Sequence, residues 1–309
     1  MISRMGAVSR FCFLPIVLLL AVEGSPADRL PLQRTSKKKI RTGPLPYEMK
    51  PWETRVDPKP RVVDLGKGKY GFRWIGSRGQ ELQVVFERPD MIDVVVEASV
   101  FSATGGQLSY RYRVHNLKSS LQLLRKLVIQ TFSENTSPER DPSWYAGRLR
   151  VGYKEYSEGQ WLTFGFLDSV LKVHPGESVE ITLKSTDPPG IVKCATAGAF
   201  LMMNAAEEAL PEVFLYETNL PNKESWPSGY TIGPDSRLAG FSRAEKVKYM
   251  VDHLPEMLRL GWIRDRKVMQ WYQENLRPGE RERIRTQARE DTQKGLITTE
   301  VLALLSYND

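Results

Sequence analysis

The stretch LSYRYRVHNL, residues 108–117, sets the strictest limit on what this chain can become. Leu108, Tyr110, Tyr112 and Val114 fall on one side of an extended backbone, and Arg111, Arg113 and His115 on the other. Alternation with period two, in β-branched and aromatic residues, makes a half-buried strand and does not fit an amphipathic helix. Similar runs occur in YGFRWIG (70–76), QELQVVFERPD (80–90), MIDVVVEASVF (91–101), LQLLRKLVIQTF (121–132), QWLTFGFLD (160–168), SVEITLKST (178–186) and PEVFLYETN (211–219). Turn residues punctuate them: Gly105 and Gly106 before LSYRYRVHNL, Pro175 and Gly176 before SVEITLKST, and Pro188, Pro189 and Gly190 after it. Short strands between turn clusters, without alternating helices, predict an antiparallel β-sandwich of immunoglobulin-like kind. One segment, LMMNAAEEAL (201–210), has helix-forming composition and is expected as a helical excursion.

The period changes near residue 241. FSRAEKVKYMVDHL places Ser242 and Glu245 in capping-box spacing, with Val247, Val251 and Leu254 as the helical stripe. Pro255 is expected to kink or end that helix, and Gly261 to stop it. A second stripe is Val268, Trp271, Tyr272 and Leu276, broken by Pro278 and Gly279. In the polar run after it only Ile284 and Ala288 are apolar, Gly295 ends that run, and Thr298 caps a last short helix. A small helical bundle follows the sandwich. Its core is too small to stand alone and needs the β region or a partner.

The N-terminus has the layout of a secretory signal peptide: Arg4 and Arg10, an apolar run at residues 11–22, then Ser25 and Ala27 at the spacing signal peptidase reads. Twelve residues fall short of the roughly 20 that span a bilayer. The expected division is therefore a signal peptide at 1–27, a basic proline-rich linker at 28–63, a β-sandwich at 64–222, a linker at 223–240 and a helical module at 241–309. Arg34, Lys37, Lys38, Lys39 and Arg41 form a cationic tether able to lean on an anionic surface. The net charge of +7 favours acidic partners without fixing the fold. Cleavage of the leader removes Cys12 and leaves Cys194 without a disulfide partner, so a buried, inert thiol is its expected fate.

The C-terminal segment resembles the helical association module called FIMAH, found at the ends of secreted bacterial proteins. The likeness covers about the last 60 residues and rests on LRLGWI (258–263), with Gly261, Trp262 and Ile263, and on KGLITTEVLALLSYN, with Gly295, Leu304 and Leu305. It implies association, not catalysis. The β region, with YRYRVHN and HPGES, is similar to sandwich domains of exported bacterial proteins of unassigned activity.

DLGKGKYG contains a literal G-x-G-x-x-G in Gly66, Gly68 and Gly71. A dinucleotide loop must open a helix, yet FRWIG follows, and the lysine, H-R-D and D-F-G motifs of a kinase do not occur. The glycines are expected to turn a loop, with no nucleotide and no other cofactor. The three histidines, His115, His174 and His253, have no metal-ligand spacing. His115 reads as the exposed end of a strand and His174 as a turn residue. No G-x-S-x-G occurs, and the carboxylates Asp90, Asp93, Glu97, Glu155, Glu158 and Asp168 read as surface charge unless two converge in space.

One segment is dense in aromatic residues mixed with cations. Residues 143–166 hold Trp144, Tyr145, Tyr153, Tyr156 and Trp161 beside Arg148, Arg150 and Lys154. Flat rings stack on sugars and, with cations, on single-stranded nucleic acid, and they also fill sandwich cores. Export argues against nucleic acid. The leading expectation is an exported, secreted or periplasmic, non-catalytic module binding an envelope or extracellular protein or glycan through these five residues. An exported hydrolase with a carboxylate site formed only in three dimensions, and a structural envelope component, are the alternatives.

Overall fold

The computed structural model describes residues 62–76, 78–88, 90–138, 149–156, 159–166, 173–198, 202–203, 214 and 226–307, with the backbone alone at 149–156, 159, 202 and 203. The leader at 1–27, the tether with Arg34, Lys37, Lys38, Lys39 and Arg41, and PEVFLYETN apart from Phe214 lie outside these residues.

Antiparallel strands dominate. A small sheet has the order β1 (Val62–Gly66), β2 (Lys69–Ile75), β3 (Glu81–Glu87) and β12 (Met202–Met203). A second has the order β4 (Val94–Ser102), β5 (Leu108–Asn116), β10 (Ser178–Ser185) and β7 (Thr136–Pro138). The third and widest has the order β13 (Ser228–Pro234), β11 (Pro189–Gly198), β6 (Leu124–Thr131), β9 (Gly159–Phe166) and β8 (Leu149–Tyr156). The second and third sheets form the predicted antiparallel sandwich. Val94, Val96, Ala98, Tyr110, Tyr112, Val114 and Ile181 face Leu127, Ile129, Leu162, Phe164, Val192 and Cys194 in one apolar cluster. Tyr112 anchors it, donating its hydroxyl across the core to the Ile232 carbonyl at 3.0 Å. A buried phenol without that acceptor would cost about 1–3 kcal/mol.

Several expectations are revised. GIVKCATAG and SGYTIGP, read from sequence without strands, form β11 and β13. Their small residues hid the alternation. They are small because the chain packs closely there: a Cβ on Gly233 would lie 2.9 Å from Val192 Cγ2, and one on Gly190 2.6 Å from Asp235 Oδ2. Met202 and Met203, in the expected helical excursion, pair with Phe86 and Val85 as a strand. The glycine loop turns the β1–β2 hairpin, with Gly66, Lys67 and Gly68 at φ of 80, 52 and 75°. Gly71 sits inside β2, and its amide ladder, not a phosphate cradle, is what the sequence builds there.

Four helices follow: α1 (Arg243–Arg259), α2 (Arg266–Asn275), α3 (Arg281–Gln293) and α4 (Thr299–Tyr307). The Ser242–Glu245 capping box forms, with the serine and glutamate each satisfying the other's backbone amide. Pro255 does not end α1, which runs on to Arg259 and stops at Gly261, φ 72°. Met250, Leu254 and Met257 are the buried set, so the helix hangs on its methionines more than on Val247 and Val251, which are half-buried.

The helices form two halves offset by 34 residues. Trp262 and Ile263 both donate to the Met257 carbonyl, and Leu296 and Ile297 both donate to the Asp291 carbonyl. Gly261 and Gly295 share the left-handed conformation, at φ 72 and 69°. Met250, Leu254 and Met257 of the first half correspond to Ile284, Ala288 and Asp291 of the second, all buried. An antiparallel bridge between Ile263 and Ile297 ties the two turns together. The odd member is Asp291, a buried carboxylate where its counterpart is a methionine. Tyr272 Oη donates to its Oδ2 at 2.8 Å and Gln287 Nε2 to its Oδ1 at 2.9 Å, which offsets the cost of burying it.

α4 joins the bundle to the sandwich. Thr298 does not cap it through its side chain; Thr298 is buried and its hydroxyl has no hydrogen-bond partner. The start of the helix serves the open edge of β4 instead. Thr299 Oγ1 donates to the Ala98 carbonyl at 2.8 Å, and Glu300 Oε1 accepts the Ala98 amide at 2.6 Å. Both backbone groups of one edge residue are thereby covered, which closes a strand edge against pairing with another chain. Val301, Leu304 and Leu305 belong to the same apolar cluster as the sandwich. The bundle thus finishes burying its faces on the β region.

Candidate functional site

The expected binding residues divide. Trp144 and Tyr145 lie outside the described residues. Tyr153 and Tyr156 are on β8, where the backbone pairs Tyr153 with Leu162 and Tyr156 with Gly159. Trp161 is on β9, and its side chain is half-buried on the outward face of the five-stranded sheet.

That face follows from alternation. Leu127 and Ile129 of β6, Leu162, Phe164 and Phe166 of β9, and Cys194 of β11 point into the core. Their neighbours Lys126, Val128 and Gln130, Trp161 and Thr163, and Lys193, Ala195 and Ala197 therefore face outward. The register sets Val128 between Ala195 and Thr163, and Gln130 opposite Trp161. Ala195 and Ala197 are short enough for an indole to lie on the sheet, and Trp226 does so, packing with them and Val128 in a cluster that Trp161 joins from β9. Lys126 Nζ stands 5.6 Å from the Trp226 ring centroid, a cation–π contact. Trp226 is 8% exposed, and its Nε1 donor has no acceptor. The result is an aromatic layer outside the sandwich core, with lysines at its border. Lys193 beside it is exposed and Tyr230, opposite Lys193 on β13, is half-buried.

Sequence reasoning missed Trp226. Its signal was present in ESWPSGYTIG, yet the flanking proline, serine and glycine read as loop. Only the pairing of β13 with β11 brings it beside Trp161.

The outward face of the four-stranded sheet is different. His115, expected at an exposed strand end, is 9% exposed and bridges three strands. Its Nδ1 lies 2.6 Å from Ser178 Oγ on β10, and its Nε2 lies 3.2 Å from Glu97 Oε2 on β4. The ring is buried because Val95 and Ser178 flank it in register. The Glu97 contact has ion-pair distance without hydrogen-bond alignment, and we read the group as a polar tie between strands. One strand step on, Arg113 binds Glu180 at 2.7 Å. Arg111 lies 5.1 Å over the ring of Phe101, which is 46% exposed.

His174 is exposed in its turn, as expected. His253 donates from Nδ1 to the Tyr249 carbonyl within α1. Among the described residues no group of three His, Cys, Asp or Glu side chains could hold a metal ion. Of the carboxylates singled out, Asp90 pairs with Arg88 at 2.9 Å and Glu97 lies by His115, while Glu158 and Asp168 fall outside the described residues. Cys194 is fully buried, and burial pushes its thiol up to about 12, so it is no nucleophile at neutral pH.

No protein-family model matches the chain, and no curated protein matches its sequence. Similar solved structures include an uncharacterized protein from Nocardia farcinica with an immunoglobulin-like fold, at 16% identity and TM-score 0.25, covering 43% of this chain and 95% of that one. A CBM of Ruminiclostridium thermocellum shares 17% identity at TM-score 0.22, covering 29% of this chain and 70% of that one. A Clostridium thermocellum biomass-sensing module, described as resembling a family 3 carbohydrate-binding module of the cellulosome, shares 14% identity at TM-score 0.24, covering 45% of this chain and 76% of that one. Each likeness covers less than half of this chain.

Proposed function

We propose that this is an exported, non-catalytic binding protein that takes a glycan of the envelope or the extracellular space on the outward face of its five-stranded sheet. One observation carries the reading: Trp161, half-buried on the outward face, packs beside the buried Trp226, whose ring Lys126 approaches, in a cluster separate from the main sandwich core. Flat rings beside hydrogen-bonding side chains are what pyranose rings stack on. The leader-like N-terminus supports export, and the basic tether supports attachment to an anionic surface. The helical module serves association in this account, in keeping with its resemblance to FIMAH.

A glycan array probed with the full chain tests the reading. Saturable binding that falls at least tenfold in Trp161→Ala is the expected result. Binding unchanged in that variant moves the site elsewhere, and an empty array with capture of an envelope protein favours protein association.

A further inference from the structure

We infer that the end of the fold carrying Leu65 and Leu121 is its membrane-facing end, where these two leucines enter the surface of an anionic lipid bilayer. This rests on the reading of Arg34, Lys37, Lys38, Lys39 and Arg41 as a tether to an anionic surface, and adds which end of the fold meets that surface. Leu65, 50% exposed, and Leu121, 47% exposed, are the most exposed large apolar side chains among the described residues. They stand on adjoining loops. Leu65 precedes the β1–β2 turn, and that turn packs on Leu121: a Cβ on Gly68 would lie 3.3 Å from Leu121 Cβ. The other exposed large apolar residues lie elsewhere, Phe101 at the far end of β4 with Arg111 over its ring, and Phe241 just before α1.

A single exposed leucine needs no explanation, but here the backbone fixes two of them side by side. The Leu121 amide donates to the Met91 carbonyl at 3.0 Å, and Ser120 before it donates its hydroxyl to the Asp93 carbonyl at 2.9 Å. Leu65 falls at the register shift between Asp64 and Gly66, where the Gly66 amide donates to Asp64 Oδ1 at 2.7 Å. Charges of both signs stand at this end: Lys67 and Lys118 are exposed, and so are Asp64 and Glu177. By itself it therefore draws anionic lipid only weakly, and the tether supplies the attraction. About 20 residues join Arg41 to Val62, a length that reaches up to about 70 Å. One weak apolar anchor holds a protein to a membrane only marginally, whereas an apolar anchor together with a polybasic segment holds it stably. Leu65 and Leu121 are the apolar partner of the basic tether.

The test uses residues 28–309, which keep the tether and every described residue. The probes are mixed phosphatidylglycerol–phosphatidylcholine vesicles and vesicles of phosphatidylcholine alone. An environment-sensitive dye is attached at Leu65→Cys, at Leu121→Cys or, as a control, at Thr104→Cys, while the buried Cys194 stays unlabelled. The nine-residue strands β4 and β5 set Thr104 about 30 Å from the Leu121 end. On the mixed vesicles a blue shift is expected at the first two positions and none at the third. Binding should fall about fivefold in Leu65→Ser and in Leu121→Ser, both at exposed sites where folding is not at stake, and at least tenfold in the triple variant Lys37→Gln, Lys38→Gln, Lys39→Gln. Binding that needs the three lysines while the dyes at the leucine positions stay silent overturns the inference and leaves the tether reading standing. Binding to neither vesicle overturns both, with the glycan reading untouched. Equal binding and equal shifts on phosphatidylcholine alone mark an apolar contact that needs no anionic lipid, and overturn the inference as well.

Discussion

At the scale of single residues, buried groups make the sharpest predictions. Cys194 sits between Ile129 and Gly229 in the middle of the five-stranded sheet, and its thiol is raised from 9.0 to about 12 by burial. Folding thus favours the protonated form. Below pH 9 both states hold the proton and the group adds no pH dependence. Between 9 and 12 the unfolded thiol ionises while the folded one does not, so stability falls as pH rises, by about 1.4 kcal/mol per unit. Denaturant titrations of the wild type and Cys194→Ala should diverge in slope above pH 9, the variant being flatter. Parallel curves would show that the thiol is not buried. Gly190 makes a second test. An alanine there would drive its Cβ to within 2.6 Å of the buried Asp235 Oδ2, and a loss of roughly 1–3 kcal/mol is expected by chemical denaturation.

At the scale of elements, much of the fold is legible in the sequence wherever side chains are large enough to show their period. β5, β9 and β10 announce themselves through Tyr110 and Tyr112, through Leu162 and Phe164, and through Ile181 and Leu183. β11 and β13 do not, because Gly190, Ala195, Ala197 and Gly233 are small, and close packing, not apolar bulk, determines them. Pro255, expected to kink or end α1, does not end it. A proline deep in a helix forgoes one hydrogen bond and strains the turn before it, but Leu254 and Met257 on either side are fully buried and hold α1 together past it. The candidate site was half visible. Trp161 was found through its dense aromatic neighbourhood, while Trp226 gained its place only by strand pairing distant in sequence. Two caps test this level. Ser242→Ala removes the capping box and is expected to cost about 1 kcal/mol. Glu300→Ala strands the Ala98 amide on the edge of β4 and is expected to cost about 1–3 kcal/mol, whereas the exposed Lys248→Ala should change stability by less than about 0.5 kcal/mol.

At the scale of the whole molecule, the sandwich and the helices share one apolar cluster, in which Val100 and Tyr110 stand with Leu254, Trp262, Val301 and Leu304. They are therefore expected to unfold together. Helix loss followed by circular dichroism and exposure of the Cys194 thiol followed by labelling, with Cys12 replaced by serine, should give coincident midpoints in denaturant. An earlier helical transition would mean that α4 holds the sandwich less firmly than its contacts with Ala98 imply. The two outward faces of the sandwich differ in their side chains. On the four-stranded face Arg113 pairs with Glu180, while on the five-stranded face Lys126 stands by the Trp226 ring. The measurement that bears most directly on this division is the dissociation constant of a bound glycan for the wild type, Trp161→Ala and Arg111→Ala. The account predicts at least a tenfold loss for the first substitution and no change for the second, and the reverse pattern would contradict it.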